Sequence, residues 1–290
     1  MRYLIIVSVI WAFSFGLIKT YLTGLDPFVV SGVRLFVALL VFLPFLKLCT
    51  VDRGLSIKFL AIGAIQFGVM YGAYIYTFQY MEAHKIALFT VTTPLMVTLL
   101  DDLLEKRFRV SFLLCAAVSV LGAIVIYYNT IDLSGTLIGI FLLQASNLCF
   151  AAGQVLYRRL LLSNTQLRSQ DHFALLYLGG VVATLVLMAF GSDLSAISFS
   201  GTQTAVILLL GVVASGLGFF LWNYGATLTN AGNLAVMNNL KIPLAVAVSL
   251  MFFEDVTGQQ LLRLIMGGGI IVGAVYLNDF LSTRRKTELV

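Results

Sequence analysis

The run QTAVILLLGVVASGLGFFLWNYGA, residues 203–226, contains no Asp, Glu, Lys or Arg. About 20 mostly apolar residues in a helix are enough to cross the hydrocarbon core of a bilayer. A helix that is apolar on every face belongs either in the core of a large protein or in a membrane. The run therefore predicts a membrane-spanning helix.

Nine further runs of similar length and apolarity lie on either side of this one. Over its 290 residues the chain is 60% hydrophobic and 11% charged, with a mean hydropathy of +1.00. Soluble domains are about a quarter charged, so the composition excludes a soluble enzyme or binding domain. Continuous apolar runs indicate helices rather than the alternating strands of a barrel. The fold class is therefore predicted to be an all-α integral membrane protein with ten transmembrane helices. The predicted spans are 3–22, 28–49, 57–80, 84–101, 110–128, 135–157, 172–190, 203–226, 231–252 and 261–281.

The Lys and Arg residues predict the orientation of the chain. With the N-terminus in the cytoplasm, thirteen of the eighteen fall on the cytoplasmic side and three outside, while Arg34 and Lys241 lie inside spans. Basic residues accumulate in cytoplasmic loops. The sequence therefore predicts a multi-pass plasma-membrane protein of the bacterial inner-membrane type, with both termini in the cytoplasm. The basic residues form no continuous face, so nucleic acid is not an expected partner; the lipid bilayer is.

The chain also repeats itself, with one unit in residues 1–130 and a second in residues 131–290. Five spans per unit is an odd number, so the second unit must be inverted in the membrane relative to the first. Two inverted five-helix repeats are the architecture of many secondary transporters, in which exchanging the states of the halves gives alternating access. Matching positions follow the same order in both halves: Trp11-Ala12 with Phe150-Ala151, Lys19 with Arg158, Asp26-Pro27-Phe28 with Asp171-His172-Phe173, Tyr76, Ala83 and Ala87 with Tyr224, Ala231 and Ala235, and Pro94 and Glu105 with Pro243 and Glu254.

Several short motifs resemble the EamA-type branch of the drug/metabolite transporter superfamily. They are Trp11-Ala12-Phe13-Ser14-Phe15 in span 1, Arg34-Leu35-Phe36-Val37-Ala38 in span 2, and Tyr80, Ala83, Ala87, Pro94 and Glu105 through span 4. The resemblance covers nearly the whole chain. It implies export or exchange of amino acids and related small polar metabolites through a cavity lined by spans 1, 3, 4, 6, 8 and 9. Lys241 departs from the apolar or small residue that the family commonly carries two positions before Pro243.

Lys241 is the most informative candidate for binding substrate. It lies near the middle of span 9, where a charged side chain costs about 2.5–3.5 kcal/mol. The membrane interior contains two bases and no clear acid, so a fixed cation here favours a substrate with a carboxylate or phosphate. A structural hydrogen bond to a neighbouring helix is one alternative role for Lys241. Another is loss of its proton, which would make it the coupling site.

Other polar and aromatic residues at similar depths predict the rest of the cavity. Each has an alternative role in packing or in the interfacial aromatic belt. Arg34 is expected to be architectural and to snorkel to the interface. The predicted substrate-binding set is Lys241, Asn238, Trp222, Asn223, Tyr74, Tyr71, Asn147, Gln154, Trp11 and Ser14.

The acids Asp101, Asp102 and Glu105 suggest an alternative function, that of a polytopic membrane enzyme that holds Mg²⁺ against a lipid or diphosphate substrate. We instead expect a solvated helix end that Lys106 and Arg107 neutralise, with no metal and no cofactor. The G-x-x-x-G spacing within residues 267–273 indicates close helix packing, either within a monomer or across a homodimer.

Overall fold

The computed structural model describes residues 1–22, 24–77, 80, 89–127, 137–193, 198–252 and 258–287. All regular secondary structure among these residues is helical, as the sequence predicts. The helices are α1 (Arg2–Leu17), α2 (Pro27–Phe42), α3 (Arg53–Gly63), α4 (Met70–Tyr76), α5 (Thr93–Glu105), α6 (Val110–Tyr127), α7 (Leu137–Ser163), α8 (Ser169–Gly191), α9 (Gly201–Leu210), α10 (Gly218–Thr227), α11 (Ala231–Phe252) and α12 (Gly258–Thr287).

Six helical runs of the described residues are long and apolar enough to cross a membrane. Large apolar side chains such as Phe141, Phe190 and Tyr276 point away from the protein, which suits lipid rather than water as the surrounding solvent. The all-α fold and the multi-pass membrane prediction are therefore confirmed. The six runs are Pro27–Phe45, Arg53–Tyr74, Leu137–Ser163, Ser169–Gly191, Gly201–Thr227 and Gly258–Ser282, and the shorter apolar helices are Arg2–Ser14 and Val110–Ile126.

Local sequence signals explain where several helices begin. Asp26 accepts a hydrogen bond from the backbone N–H of Val29, and Pro27 follows as the first residue of α2. Ser200 and Gln203 form a capping box at the start of α9. Both arrangements satisfy backbone donors that a helix start leaves free. The predicted repeat positions Ala83, Ala87 and Glu254 lie outside the described residues.

Two long helical runs contain a π-helical turn in their middle. Ala64–Val69 joins α3 to α4, and Gly211–Leu217 joins α9 to α10. A π turn disturbs the regular helical hydrogen bonds and is often found at functional sites. In the second turn, Trp11 Nε1 donates to the carbonyl of Ala214, and the Tyr177 hydroxyl, with its single proton, lies within hydrogen-bond distance of the carbonyls of Ser215 and Gly216. Side chains from α1 and α8 thus bind this turn.

Close backbone contact between α3 and α8 depends on glycine. A Cβ at Gly63 would lie 1.9 Å from the carbonyl oxygen of Leu176, and a Cβ at Gly179 would lie 2.0 Å from that of Leu60. Any larger residue would force the helices apart, which is how small residues act in membrane helix packing.

Gly267 plays the same role between α6 and α12. A Cβ at Gly267 would lie 2.4 Å from the carbonyl oxygen of Gly122. Gly269 and Gly273, which have the G-x-x-x-G spacing, have no atom of another described helix within 4 Å of the place that a Cβ would take, so close packing of that pair stays a prediction.

Candidate functional site

Four aromatic rings from three helices meet in the middle of the protein. Trp11 of α1 lies 5.0 Å from Trp222 and 5.6 Å from Phe219, both of α10, measured between ring centroids. Phe150 of α7 lies 6.1 Å from Trp11 and 6.3 Å from Trp222. These distances are typical of interacting aromatic pairs. We call Trp11, Phe150, Phe219 and Trp222 the aromatic box.

A buried amide pair borders the aromatic box. Gln154 Oε1 accepts a hydrogen bond from Trp222 Nε1 at 2.9 Å and from Asn238 Nδ2 at 3.2 Å. These contacts join α7, α10 and α11. Both amide side chains are buried, so their hydrogen bonds orient them in a medium where an unpaired amide would be costly. The pair therefore places fixed polar groups beside the box.

Lys241 brings a positive charge to the same place. Its Nζ lies 5.8 Å from the ring centroid of Trp11 and 5.6 Å from that of Phe150, within reach of cation–π attraction. Lys241 follows Asn238 by one helical turn, and so shares its face of α11. Among the described residues no carboxylate lies within ion-pair distance of Lys241. The box, the amide pair and the ammonium can together hold a ring, a hydrogen-bonding group and an anion.

The structure thus brings together half of the predicted site residues. The five that meet are Trp11, Gln154, Trp222, Asn238 and Lys241.

The other five predicted residues have different neighbours. Ser14 and Asn223 donate to carbonyls of their own helices, those of Trp11 and Phe219. Asn147 donates to the carbonyl of Phe89, just before α5 begins.

Tyr74 and Tyr71 face two other parts of the protein. Tyr74 packs against Leu143. Tyr71 contacts Arg34 and, at 6.0 Å between centroids, Phe219 of the aromatic box.

Arg34 does not snorkel to the interface as the sequence suggested. Only 7% of it is exposed. Its Nε donates to Ser215 Oγ and its Nη2 to the Tyr71 hydroxyl, both at 3.2 Å, and its guanidinium lies 5.5 Å from the Tyr71 ring. The polar side chains of Ser215 and Tyr71 were available inside the bundle, so the charge is bound there instead. Arg34 therefore ties α2 to α4 and to the π turn at residues 211–217.

The acids at the end of α5 are also placed differently from the prediction. Asp101 and Asp102 are 0% and 4% exposed, so this is not a solvated helix end. Their partners are Arg109 and Arg159, not Lys106 and Arg107. Arg109 Nε lies 2.6 Å from Asp102, and Arg159 Nε lies 3.2 Å from Asp101.

The turn after α5 explains how Arg109 returns to these acids. Lys106 adopts a left-handed conformation, with φ of 52°, which ends the helix and reverses the chain. Arg109 then donates its backbone N–H to Asp102 and its guanidinium to both aspartates. These charge-assisted bonds occupy the acids, and in the part of the chain that the structure describes no group of acids, cysteines and histidines is arranged to hold a metal.

Among the described residues, four buried amides are missing from the predicted set, namely Gln66, Asn233, Asn239 and Asn278. Asn239 donates to the carbonyl of Val91 and to Ser119 Oγ. Gln66 lies in the π turn at residues 64–69 and is fully buried. The available signal was an amide in a long apolar run, alone at Gln66 and next to the predicted Asn238 at Asn239.

Comparison with known proteins agrees with this architecture. The sequence matches the EamA-like transporter family over residues 1–128 and 137–278. A crystal structure at 15% identity superimposes with a TM-score of 0.78 over 97% of this chain and 96% of that chain, which supports the fold alone.

Three bacterial relatives are similar over most of their length. A probable biotin transporter of Pseudomonas aeruginosa is 39% identical over 96% of this chain and 97% of its own. The biotin transporters of Escherichia coli and Salmonella typhimurium are 38% and 36% identical, each over 88% of this chain and 85% of their own. The chain is therefore a membrane transporter of a small metabolite rather than a membrane enzyme, and it belongs to the EamA-like transporter family.

Proposed function

We propose that this protein transports biotin across the bacterial inner membrane. The observation that carries the proposal is the juxtaposition of Lys241, the aromatic box and the Gln154–Asn238 pair. Biotin combines a carboxylate, an apolar sulfur-containing ring and a hydrogen-bonding ureido group. An ammonium, aromatic faces and amides are suited to these three parts. The names of the relatives favour biotin over the amino acids that the family resemblance implies.

The proposed activity can be tested with purified protein in liposomes. We expect radiolabelled biotin to accumulate in protein-containing vesicles and not in empty ones. Binding has a built-in reporter, because the only two tryptophans of the chain, Trp11 and Trp222, both belong to the aromatic box. Biotin should therefore change the intrinsic tryptophan fluorescence. Accumulation of an amino acid without accumulation of biotin would overturn the proposal in favour of the substrate that the family resemblance implies.

We further propose that transport occurs by alternating access between two inverted repeats of five spans each, residues 1–130 and 131–290. One support is that the π turns at 64–69 and 211–217 occupy nearly equivalent places in the two halves, at the offset of 148 that separates Tyr76 from Tyr224. Another is the packing, because α3 of the first half packs on α8, while the π turn of the second half packs on α2. In both cases the third span of one half packs on the second span of the other half, as pseudo-two-fold symmetry requires.

The proposed repeat makes a prediction about topology. We expect reporters fused after Val290 or inserted between residues 158 and 171 to lie in the cytoplasm, since the basic residues concentrate on that side. A tag at Asp193 should instead be accessible from outside. Labelling of the 158–171 segment from outside, with both termini in the cytoplasm, would contradict the five-plus-five arrangement.

A further inference from the structure

The side-chain amide of Gln66 has no hydrogen-bond partner among the described residues. The residue is 0% exposed, and neither Nε2 nor Oε1 is paired. A buried polar group without a partner costs about 1–3 kcal/mol, and such groups are rare in native proteins. A partner that arrives with the substrate would account for this one.

Gln66 lies beside the candidate site. Its Cδ is 2.8 Å from the position that a Cβ would take on Gly153, so its amide rests against the backbone of α7. Gly153 directly precedes Gln154 and lies one turn after Phe150. The next residue in the chain, Phe67, stacks on Phe219 at 4.5 Å between centroids. Gln66 is therefore enclosed next to both the aromatic box and the amide pair.

The fold itself does not require an amide at this position. At the offset of 148 that relates the two π turns, the residue equivalent to Gln66 is Ala214. Ala214 contributes only its carbonyl, which accepts from Trp11. An apolar side chain is therefore compatible with a π turn at this depth, and the amide of Gln66 calls for another explanation.

We propose that Gln66 recognises the ureido group of the substrate. One edge of a primary amide presents an N–H donor and an acceptor oxygen side by side, and a cyclic urea offers the complementary carbonyl and N–H. The inference rests on the proposed transport of biotin. A group enclosed between helices in one conformation is opened in another when the halves of an alternating-access transporter move, so the substrate reaches Gln66 during the cycle.

The test is the substitution Gln66→Met, which keeps side-chain length and removes the amide. We expect the thermal stability of the purified protein to be unchanged or higher, because an unpaired amide is lost. Affinity for biotin, followed by tryptophan fluorescence, should fall about tenfold or more. Affinity for lipoate, which has the carboxylate chain and a sulfur ring but no ureido group, should not fall, so the preference for biotin should shrink.

Gln144→Met is the matched control. Gln144 is an amide of the same kind, but its Nε2 donates to the carbonyl of Phe89 and its Oε1 accepts from Thr92. Its replacement should lower stability and leave the preference for biotin over lipoate intact.

The outcomes separate the two proposals. Wild-type protein that neither binds nor transports biotin would refute the proposed function and the ureido assignment with it. The role of Gln66 alone would be refuted if the wild-type protein binds biotin and the Gln66→Met variant binds it equally well. The same conclusion would follow if the variant is less stable but keeps the preference for biotin over lipoate.

Discussion

Replacement of Lys241 by methionine is expected to lower biotin uptake by about tenfold or more while the protein still inserts and folds. A tenfold loss corresponds to about 1.4 kcal/mol, a modest value for a lost charge-assisted hydrogen bond to a carboxylate. Methionine is similar in length to lysine, and it removes a charge that costs about 2.5–3.5 kcal/mol at a helix centre. The measurement is radiolabelled biotin uptake by liposomes that contain equal amounts of folded protein.

Lys58→Met is the control for this substitution. Lys58 is an exposed residue of α3 near the start of its helical run, so its replacement should leave uptake unchanged. Lys241→Arg should also be impaired, because a forked guanidinium does not replace a compact ammonium between two rings. Normal uptake by Lys241→Met would refute a role in binding. Retained affinity with loss of proton coupling would reassign Lys241 to the coupling role.

The apolar runs predicted the helices well because lipid imposes a strict rule on the backbone. A span must satisfy its hydrogen bonds internally and keep apolar side chains outward. The prediction of 231–252 coincides with α11, and 203–226 falls just inside the helical run Gly201–Thr227. The prediction 135–157 stopped before the end of α7 at Ser163, because Arg158 and Arg159 look like loop residues. Their contacts with Asp101 keep them within the helix.

The site was only half predictable for a related reason. Periodicity along α7 placed Asn147 and Gln154 on one face, which is correct for a helix. It could not tell that their neighbours differ, since Gln154 meets Trp222 while Asn147 meets Phe89. The depth at which a side chain lies and the helix that it faces both depend on packing between segments that are distant in the sequence. Lys241 was identifiable because the cost of burying a charge in a membrane depends on its place in the span, before any neighbour is known.

The ion cluster formed by the buried Asp101 and Asp102 with the partly exposed Glu105, Arg109 and Arg159 leads to a second large expected effect. Asp101 contacts Arg109 and Arg159 and lies 4.0 Å from Arg158, and Arg159 Nη2 also donates to the backbone carbonyl of Asp101 at 2.7 Å. The cluster joins the end of α5, the turn before α6 and the end of α7. In the proposed repeat it links the two halves, so its integrity should matter for stability.

Asp101→Asn is expected to destabilise the protein by about 3 kcal/mol, the lower end of the range for a broken buried ion pair, because it leaves partly buried guanidinium groups without a full counter-charge. Glu105→Gln is the matched control, since it makes the same chemical change in the same cluster at a side chain that is 34% exposed. Water screens that position, so its loss should cost about 1 kcal/mol or less. Thermal unfolding of the purified proteins in detergent would compare the two, and equal small shifts would show that burial does not govern the cluster.

The double variant Asp101→Asn/Arg159→Met separates an unpaired charge from lost packing. It removes one negative and one positive charge together, so Arg109 keeps Asp102 and Glu105 as partners. If the cost of Asp101→Asn arises from uncompensated charge, the double variant should be less destabilised than the sum of the two single variants. Additive effects would instead mean that each side chain contributes through its own packing. Whether the coupling energy differs from zero therefore determines whether these residues act as an ion pair across the proposed interface between the halves or as independent parts of two helices.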